Sequence, residues 1–214
     1  MPQLSHRLPM SRGSSDGQVK TPSATGTWEV GIGLTYRTVN SGSTGVTMAD
    51  ELRRLLDERA IRRLLLEYCR GVDRCDREMI AGVYHPDAVD DHGGYVGTGE
   101  GFADYAVARL RGSYDATLHV LGDSLFDWVD DDAAEVETYV LAQHRIDDPP
   151  SIVHFGGRYL DRFERREGRW GIAVRVVVRE WDKREMIEPA WPPNRFVDGC
   201  RDDPSGVRDR RPSG

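Results

Sequence analysis

The feature that most constrains the fold is a change in the hydrophobic period near residue 114. Before it, apolar residues recur at three- and four-residue steps, which indicates amphipathic helices. After it they alternate, which indicates strands with one buried face. Four strand candidates follow, over 117–129, 133–146, 152–164 and 170–181. Leading helices followed by a meander of long strands predict one α+β domain.

Three helices are predicted before this change. The first opens at Met48 and is expected to end at Gly71, because glycine readily adopts the left-handed conformation that stops helices. A second, short helix is predicted over 76–84 and a third over 100–112. Between them, the segment 88–99 indicates a short strand and a glycine-rich turn.

The two ends of the chain differ in composition from its centre. Residues 1–47 are rich in Ser, Thr and Gly, and residues 196–214 contain few apolar side chains. We expect both ends to be disordered, with the domain at 48–195 and residues 1–47 as an extension or a misassigned start. Residues 27–39 alternate well enough to form a strand instead, which could pair with a sheet edge.

Composition excludes several classes of function. The net charge of −7 argues against nucleic acid as the main partner, because phosphate binding needs a basic face. The three cysteines lack paired spacing, so neither a disulfide framework nor a zinc site is indicated, and a reducing cytoplasm fits. No apolar run reaches the roughly 20 residues of a membrane span, so no membrane partner is expected. Nothing indicates a metal or another cofactor.

Polar residues interrupt the apolar faces of the strands. His144 lies at an inward position of 133–146, and His119 lies inside the preceding strand. Each alone is explained by a satisfied core histidine, but two on neighbouring strands favour a shared polar site. Arg175 lies among valines and needs a carboxylate or a substrate oxygen as its partner, so a structural ion pair is the alternative.

The segment "DDHGGY" at 90–95 contains ligand-type residues. Adjacent positions on a strand point to opposite faces, so we interpret it as a pocket rim or turn and not as a metal site. Asp91 and His92 are not expected to act chemically. Tyr95 is predicted to contact a substrate hydroxyl.

An ordered set of residues resembles the SnoaL-like branch of the nuclear transport factor 2-like superfamily, over residues 50–183. The set comprises Tyr68, Asp73 five residues later, "YHPDAV", His119, His144 and a closing "GRW.I...R.....W". The resemblance implies a cone-shaped fold in which a strongly curved mixed sheet wraps around N-terminal helices. A pocket is then expected at the wide end.

The branch contains dehydratases and a dehydrochlorinase that share an aspartate and histidine dyad. By position, the resemblance assigns this dyad to Asp73 and His119, with Tyr68 in the same pocket. His144 matches a second pocket histidine of one dehydratase pattern. Arg175 matches a last-strand arginine of other members, so the subgroup stays open. If Asp73 had only a structural role, it would cap the helix that follows it.

These residues suggest a cofactor-independent lyase, either a dehydratase or a related isomerase or cyclase, for a hydrophobic oxygenated polycyclic or aromatic molecule. Elimination needs a base, a donor to the oxyanion and a proton for the leaving oxygen, which His119, Tyr68 and His144 would supply. Asp73 and Arg175 would orient groups and balance charge.

Two other functions remain as alternatives. One is a non-catalytic small-molecule or protein-binding subunit, as in ring-hydroxylating dioxygenases. The other is an epoxide hydrolase, ranked lowest because Asp73 has no evident second carboxylate on an inward strand position. The strand 169–181 carries apolar residues on both faces, which predicts a covered outer surface and hence a homodimer or homotrimer.

Overall fold

The structure is a computed structural model that describes residues 47–188 and two short strands nearer the N-terminus. These are β1 (Glu29–Val30) and β2 (Leu34–Thr35), which pair with each other in antiparallel orientation. The other residues of 1–46 and residues 189–214 lie outside the described residues, and so do the predictions of disorder made for them. By its contacts the chain divides into two units, Met1–Thr44 and Gly45–Gly214.

Three helices precede most of the sheet of the second unit. They are α1 (Met48–Asp73), α2 (Arg77–Gly82) and α3 (Gly99–Ser113). Thr47 begins α1 with a capping box, since its hydroxyl accepts from the Asp50 amide while the Asp50 carboxylate accepts from the Thr47 amide. Asp76 caps α2 by accepting a hydrogen bond from the Met79 amide at 3.2 Å.

Gly71 does not end the first helix, contrary to the prediction. A Cβ at this position would lie 3.0 Å from both Cγ1 and the backbone nitrogen of Ile80. Gly71 therefore allows α1 and α2 to pack closely, and the helix continues for two more residues to Asp73. The extra half turn matters for the site, because it places the Asp73 side chain at the end of the helix.

Six strands form one mixed sheet. Their bounds are β3 (Tyr84–Asp91), β4 (Val96–Thr98), β5 (Ala116–Trp128), β6 (Ala133–Asp147), β7 (Pro150–Arg166) and β8 (Arg169–Met186). The spatial order is β4-β3-β8-β7-β6-β5, with β3 parallel to β8 and every other neighbour antiparallel. The α+β class and the four long strands are confirmed. The predicted strand at 88 begins four residues earlier, at Tyr84.

The sheet is curved and wraps around the helices. Register shifts interrupt the β5–β6 ladder between Leu121 and Ser124 and the β7–β8 ladder at two places. Such irregularities bend a strand and increase its twist. The core lies between the concave face and the helices, and it includes Ile61, Leu65, Val72, Ile80, Phe102, Val136, Val140, Phe163 and Ile172.

Cys69 lies in this core as a free thiol, whereas Cys75 is disulfide-bonded. The cysteine spacing alone had indicated no disulfide, so that expectation is wrong for Cys75. In the part of the chain that the structure describes, no helix combines the length and the apolar character needed to cross a membrane.

Candidate active site

A cavity of about 490 Å³ opens between the concave face of the sheet and the helices. Three of the predicted site residues, Tyr68, His119 and His144, line it. Asp73 lies directly behind His119. Tyr95 and Arg175 are not among the described residues that line the cavity. The structure therefore brings together four of the six predicted side chains.

Asp73 and His119 form the contact that the resemblance predicts. His119 Nδ1 lies 2.6 Å from Asp73 Oδ1, and the His119 backbone amide donates to Oδ2 at 2.9 Å. The Thr117 hydroxyl also donates to Oδ1, at 3.0 Å. The last residue of α1 is thus tied to β5 by three donors, and its carboxylate is almost fully buried.

This arrangement selects one tautomer of His119. A carboxylate only accepts hydrogen bonds, so Nδ1 carries the proton and Nε2 keeps its lone pair. His119 lines the cavity, where this lone pair is available as a base. The alternative that Asp73 caps the following helix is wrong, because Asp76 caps it.

His144 lies beside His119 because β5 and β6 pair in register, with Thr117 opposite His144 and His119 opposite Ala142. The two imidazole rings are 5.6 Å apart. Burial first, and the neighbouring His119 second, lower the pKa of His144 to about 4. With this pKa, His144 is a neutral imidazole near pH 7, and its predicted catalytic role stays a prediction.

Tyr68 presents its hydroxyl from the buried face of α1. Burial raises the pKa of Tyr68 well above its ordinary value, so the phenol keeps its proton. Its ring packs edge-on against Tyr159, with centroids 5.7 Å apart, and Tyr159 also lines the cavity. The Tyr68 hydroxyl lies 2.9 Å from Nε2 of a third histidine, His92.

The position of His92 in the cavity is the main feature that the sequence analysis missed. His92 Nδ1 contacts Asp90 Oδ1, and the Tyr84 hydroxyl donates to Asp90 Oδ2 at 2.6 Å. The His92 ring stacks on Phe102 with centroids 3.9 Å apart. Asp90 lies on β3 and His92 one residue beyond its end, and residues two apart in extended chain share a face, so this spacing was a signal that could have revealed the pair.

Arg175 has a structural partner and does not reach the cavity. It is fully buried and donates twice to Asp161, with both distances 2.7 Å. Its guanidinium carbon lies 4.1 Å from the centre of the Tyr68 ring and 4.3 Å from that of Tyr159. The structural ion pair, given above as the alternative, is what the structure shows, and direct substrate contact by Arg175 is not supported.

Tyr95 also has an internal role. Its hydroxyl donates to the Thr98 carbonyl at 2.9 Å, and its ring packs on Tyr105. A Cβ at Gly97 or Gly101 would lie within 2.5 Å of this hydroxyl, so the two glycines provide the space for it. The predicted contact between Tyr95 and a substrate hydroxyl is therefore not supported.

Two further carboxylates lie at inward strand positions, which the sequence analysis did not expect. Asp90 and Asp161 are both fully buried. Asp90 is held by Tyr84 and His92, and Asp161 by Arg175. Neither is among the described residues that line the cavity, so no pair of carboxylates faces it. Within residues 47–188, no group of three or more His, Cys, Asp or Glu side chains is placed to hold a metal ion.

The fold is shared with several solved structures. One is a hexachlorocyclohexane dehydrochlorinase, LinA type 2, at 23% identity and a TM-score of 0.61, covering 67% of this chain and 99% of that one. Another is a putative scytalone dehydratase from Novosphingobium aromaticivorans, at 22% identity and a TM-score of 0.58, covering 69% of this chain and 99% of that one.

The β subunit of a putative aromatic-ring-hydroxylating dioxygenase from the same organism is 17% identical, with a TM-score of 0.50, covering 60% of this chain and 92% of that one. At these identities the likeness shows the fold alone. Comparison with curated protein sequences finds no match. The model of the SnoaL-like domain matches residues 53–176, which is more than half of the chain. The protein therefore belongs to the SnoaL-like family of the nuclear transport factor 2-like superfamily.

Proposed function

We propose that this protein is a cofactor-independent lyase that eliminates water, or a similar small leaving group, from a hydrophobic oxygenated molecule. The observation that carries the proposal is the 2.6 Å contact between Asp73 and His119 at the wall of the cavity. A histidine whose Nδ1 is held by a carboxylate presents a basic Nε2 and gains a stabilising partner when it becomes an imidazolium.

The elimination begins when His119 Nε2 removes a proton from the carbon next to a substrate carbonyl. The C–H electron pair moves into an enolate, and Asp73 stabilises the imidazolium that forms. The enolate pair then forms the carbon–carbon double bond as the C–O bond to the hydroxyl breaks. The imidazolium returns its proton to the departing oxygen, so water leaves and His119 is neutral again.

Tyr68 is the hydrogen-bond donor to the enolate oxygen in this mechanism. It is a protonated phenol at the cavity wall, and a hydrogen bond to developing negative charge stabilises the transition state more than the ground state. His144, as a neutral imidazole beside His119, serves to position the substrate. In this mechanism His119 is both the base and the acid of the reaction.

The cavity suits a small aromatic or polycyclic substrate. Its volume of about 490 Å³ lies within the usual range for small-molecule sites. Aromatic side chains form much of its wall, among them Phe102, Tyr105, Phe155 and Tyr159. Flat rings pack well on such surfaces. The names of two structurally similar proteins, a dehydrochlorinase and a putative dehydratase, agree with an elimination.

The proposal is tested with 3-hydroxy-1-tetralone, a β-hydroxy ketone that becomes fluorescent 1-naphthol when it loses water. We expect His119→Ala to abolish turnover and Asp73→Asn to reduce kcat/KM about a thousandfold. The double variant should be little worse than the worse single one. His154→Gln is the control, because His154 contacts Glu185 and is not among the described lining residues.

Losses that multiply in the double variant would show that Asp73 and His119 do not act as a unit. The likeness to the dioxygenase β subunit favours a second candidate function, a non-catalytic subunit. In that case no β-hydroxy ketone, β-halo ketone or related compound would be turned over. The dyad variants would then change only the melting temperature.

A further inference from the structure

The cavity wall contains a second histidine, His92, which has a carboxylate behind it, and the proposed elimination does not use this pair. His92 lies between a fully buried carboxylate, Asp90, and the Tyr68 hydroxyl. Its ring stacks on Phe102, which holds it in place. Asp90 is held in turn by the Tyr84 hydroxyl. Four side chains therefore form one chain of hydrogen bonds that ends at the cavity wall.

The protons of this chain of hydrogen bonds can be arranged in two ways. The Asp90 carboxylate accepts, so His92 Nδ1 carries a proton in both. When His92 is neutral, Nε2 has a lone pair, and the single proton of the Tyr68 hydroxyl is donated to it. When His92 is an imidazolium, Nε2 carries a proton as well and donates to the Tyr68 oxygen. The Tyr68 proton is then free for another acceptor.

We propose that His92 sets the direction of the Tyr68 hydroxyl, which accepts from a ligand when His92 is neutral and donates to a ligand carbonyl when His92 is protonated. The inference rests on the proposed function in one respect, since that function uses Tyr68 as the donor to an enolate oxygen. His92 is a positioning residue in this scheme, because it acts through Tyr68. Asp90 fixes the ring that does so.

The groups around His92 and Tyr68 are consistent with this switch. Among the residues that the structure describes, the charged group in hydrogen-bond contact with His92 on the side of β3 is Asp90, and Tyr84 lies behind it. On the side of β7 and β8, Asp161 and Arg175 pair with each other, and the Arg175 guanidinium lies over the Tyr68 ring. From α3 the neighbour is Phe102, which is uncharged.

At the cavity wall the ionisable side chains are His119, His144, Arg109, Arg179 and Asp182, together with His92 and the tyrosines. Among the described residues, none of these five forms a hydrogen bond with His92. Protonation of His92 is therefore transmitted to the cavity through the Tyr68 hydroxyl, which is the group that its free nitrogen contacts.

The switch predicts how ligands respond to pH. A ligand that offers only an acceptor, such as a ketone, gains a hydrogen bond from Tyr68 when His92 is protonated. When His92 is neutral, the Tyr68 oxygen has no proton available for the same ketone. The Tyr68 oxygen and the ketone oxygen then face each other as two acceptors and repel. Ketone affinity should therefore fall when His92 loses its proton.

The first experiment reads the tautomers of the histidines in the ligand-free protein. Two-bond ¹H–¹⁵N correlation spectra distinguish Nδ1 from Nε2 and show which carries the proton. We expect neutral His92 to be protonated on Nδ1 only. Tyr68→Phe should shift the His92 Nε2 resonance, because it removes the hydrogen bond to that nitrogen, and should leave His119 unchanged. Asp90→Asn should abolish the preference of His92 for one tautomer.

The second experiment measures binding of 2-acetonaphthone against 2-ethylnaphthalene, which has nearly the same shape but no carbonyl. We expect the affinity ratio of ketone to hydrocarbon to fall several-fold as the pH is raised from a value at which the ¹⁵N spectra show His92 protonated to one at which they show it neutral. Tyr68→Phe and His92→Phe should make this ratio independent of pH, and the phenylalanine in His92→Phe keeps the stacking on Phe102.

Two results would overturn the proposal. One is a neutral His92 protonated on Nε2, which would make it a permanent donor to Tyr68. The other is a ketone-to-hydrocarbon ratio that keeps its pH dependence in His92→Phe. These readouts need no turnover, so they are independent of the elimination. If His119→Ala leaves turnover unchanged while the His92 resonances behave as described, the proposed function fails and the switch stands.

Discussion

Removing either partner of the Arg175–Asp161 pair should destabilise the fold by different amounts at different pH values. Both side chains are fully buried and joined by two hydrogen bonds of 2.7 Å. Breaking such a pair on one side leaves an uncompensated buried charge, which costs about 3–5 kcal/mol of unfolding free energy. Replacing both partners by apolar residues removes the charge together with its partner, and the cost then largely disappears.

In Arg175→Met, the charge left behind is the Asp161 carboxylate. Burial raises the pKa of Asp161, so the folded-state pKa lies above the unfolded one. A group of this kind supports the fold fully below its unfolded pKa, and the support is lost as the pH rises through the folded pKa. The penalty of Arg175→Met should therefore be small near about pH 4 and should grow as the pH rises towards about 7.

In Asp161→Val, the charge left behind is the guanidinium. Arginine keeps its proton across the accessible pH range, so no protonation relieves this variant. Its loss of about 3–5 kcal/mol should be nearly independent of pH between about 4 and 7. The combination of Arg175→Met with Asp161→Val should lie within about 1–2 kcal/mol of the wild type.

Urea unfolding followed by circular dichroism at both pH values measures these differences. Arg158→Met is the matched control, since Arg158 joins the same two strands through an exposed pair with Glu180. It should cost less than about 1 kcal/mol. Full stability of Arg175→Met at pH 7, together with loss of ligand binding, would refute the structural role of Arg175 and restore its role as a substrate contact.

Two further predictions concern packing and assembly. Gly71→Ala should destabilise the fold by about 1–3 kcal/mol in thermal or urea unfolding, because its Cβ meets Ile80 at 3.0 Å. Gly112→Ala in α3, with open space around it, should be neutral or stabilising by up to about 1 kcal/mol. We also propose that the exposed apolar side chains Leu141 and Val120, which pair across β5 and β6, lie in a homodimer or homotrimer interface. Light scattering should then show an oligomer that Leu141→Glu dissociates, and a wild-type monomer at micromolar concentration would contradict this.

Much of the architecture follows from local pattern. A three- to four-residue period and an alternating period depend only on neighbours in the chain, so α1, α3 and the four long strands could be predicted with ends displaced by a few residues. The same parity argument put His144 on the inward face of β6, where it lines the cavity. The contact between Asp73 and His119, predicted from the ordered resemblance, is confirmed as well.

The errors arose where the answer depends on tertiary packing and not on the periodic pattern of the chain. Gly71 is a residue type that often ends helices, but here it lies inside α1 because Ile80 of α2 packs closely against it. Tyr95 is a residue type that often contacts ligands, but its hydroxyl donates to the Thr98 carbonyl and occupies the space beside two glycines. Local preference is outweighed in both cases by packing that the linear sequence does not display.

The sequence by itself indicated that Arg175, His119 and His144 lie inside the fold, and only the tertiary structure decided which side chains pair with them. Arg175 was known to need a partner, but Asp161 becomes that partner through the register of β7 against β8. The sequence placed His92 at a pocket rim. In the structure, Tyr68 from α1 contacts one of its ring nitrogens and Asp90 from β3 contacts the other. The physical reason is that a buried charge is stabilised by the few atoms within about 3–4 Å of it, and these belong to whichever strands the fold makes neighbours.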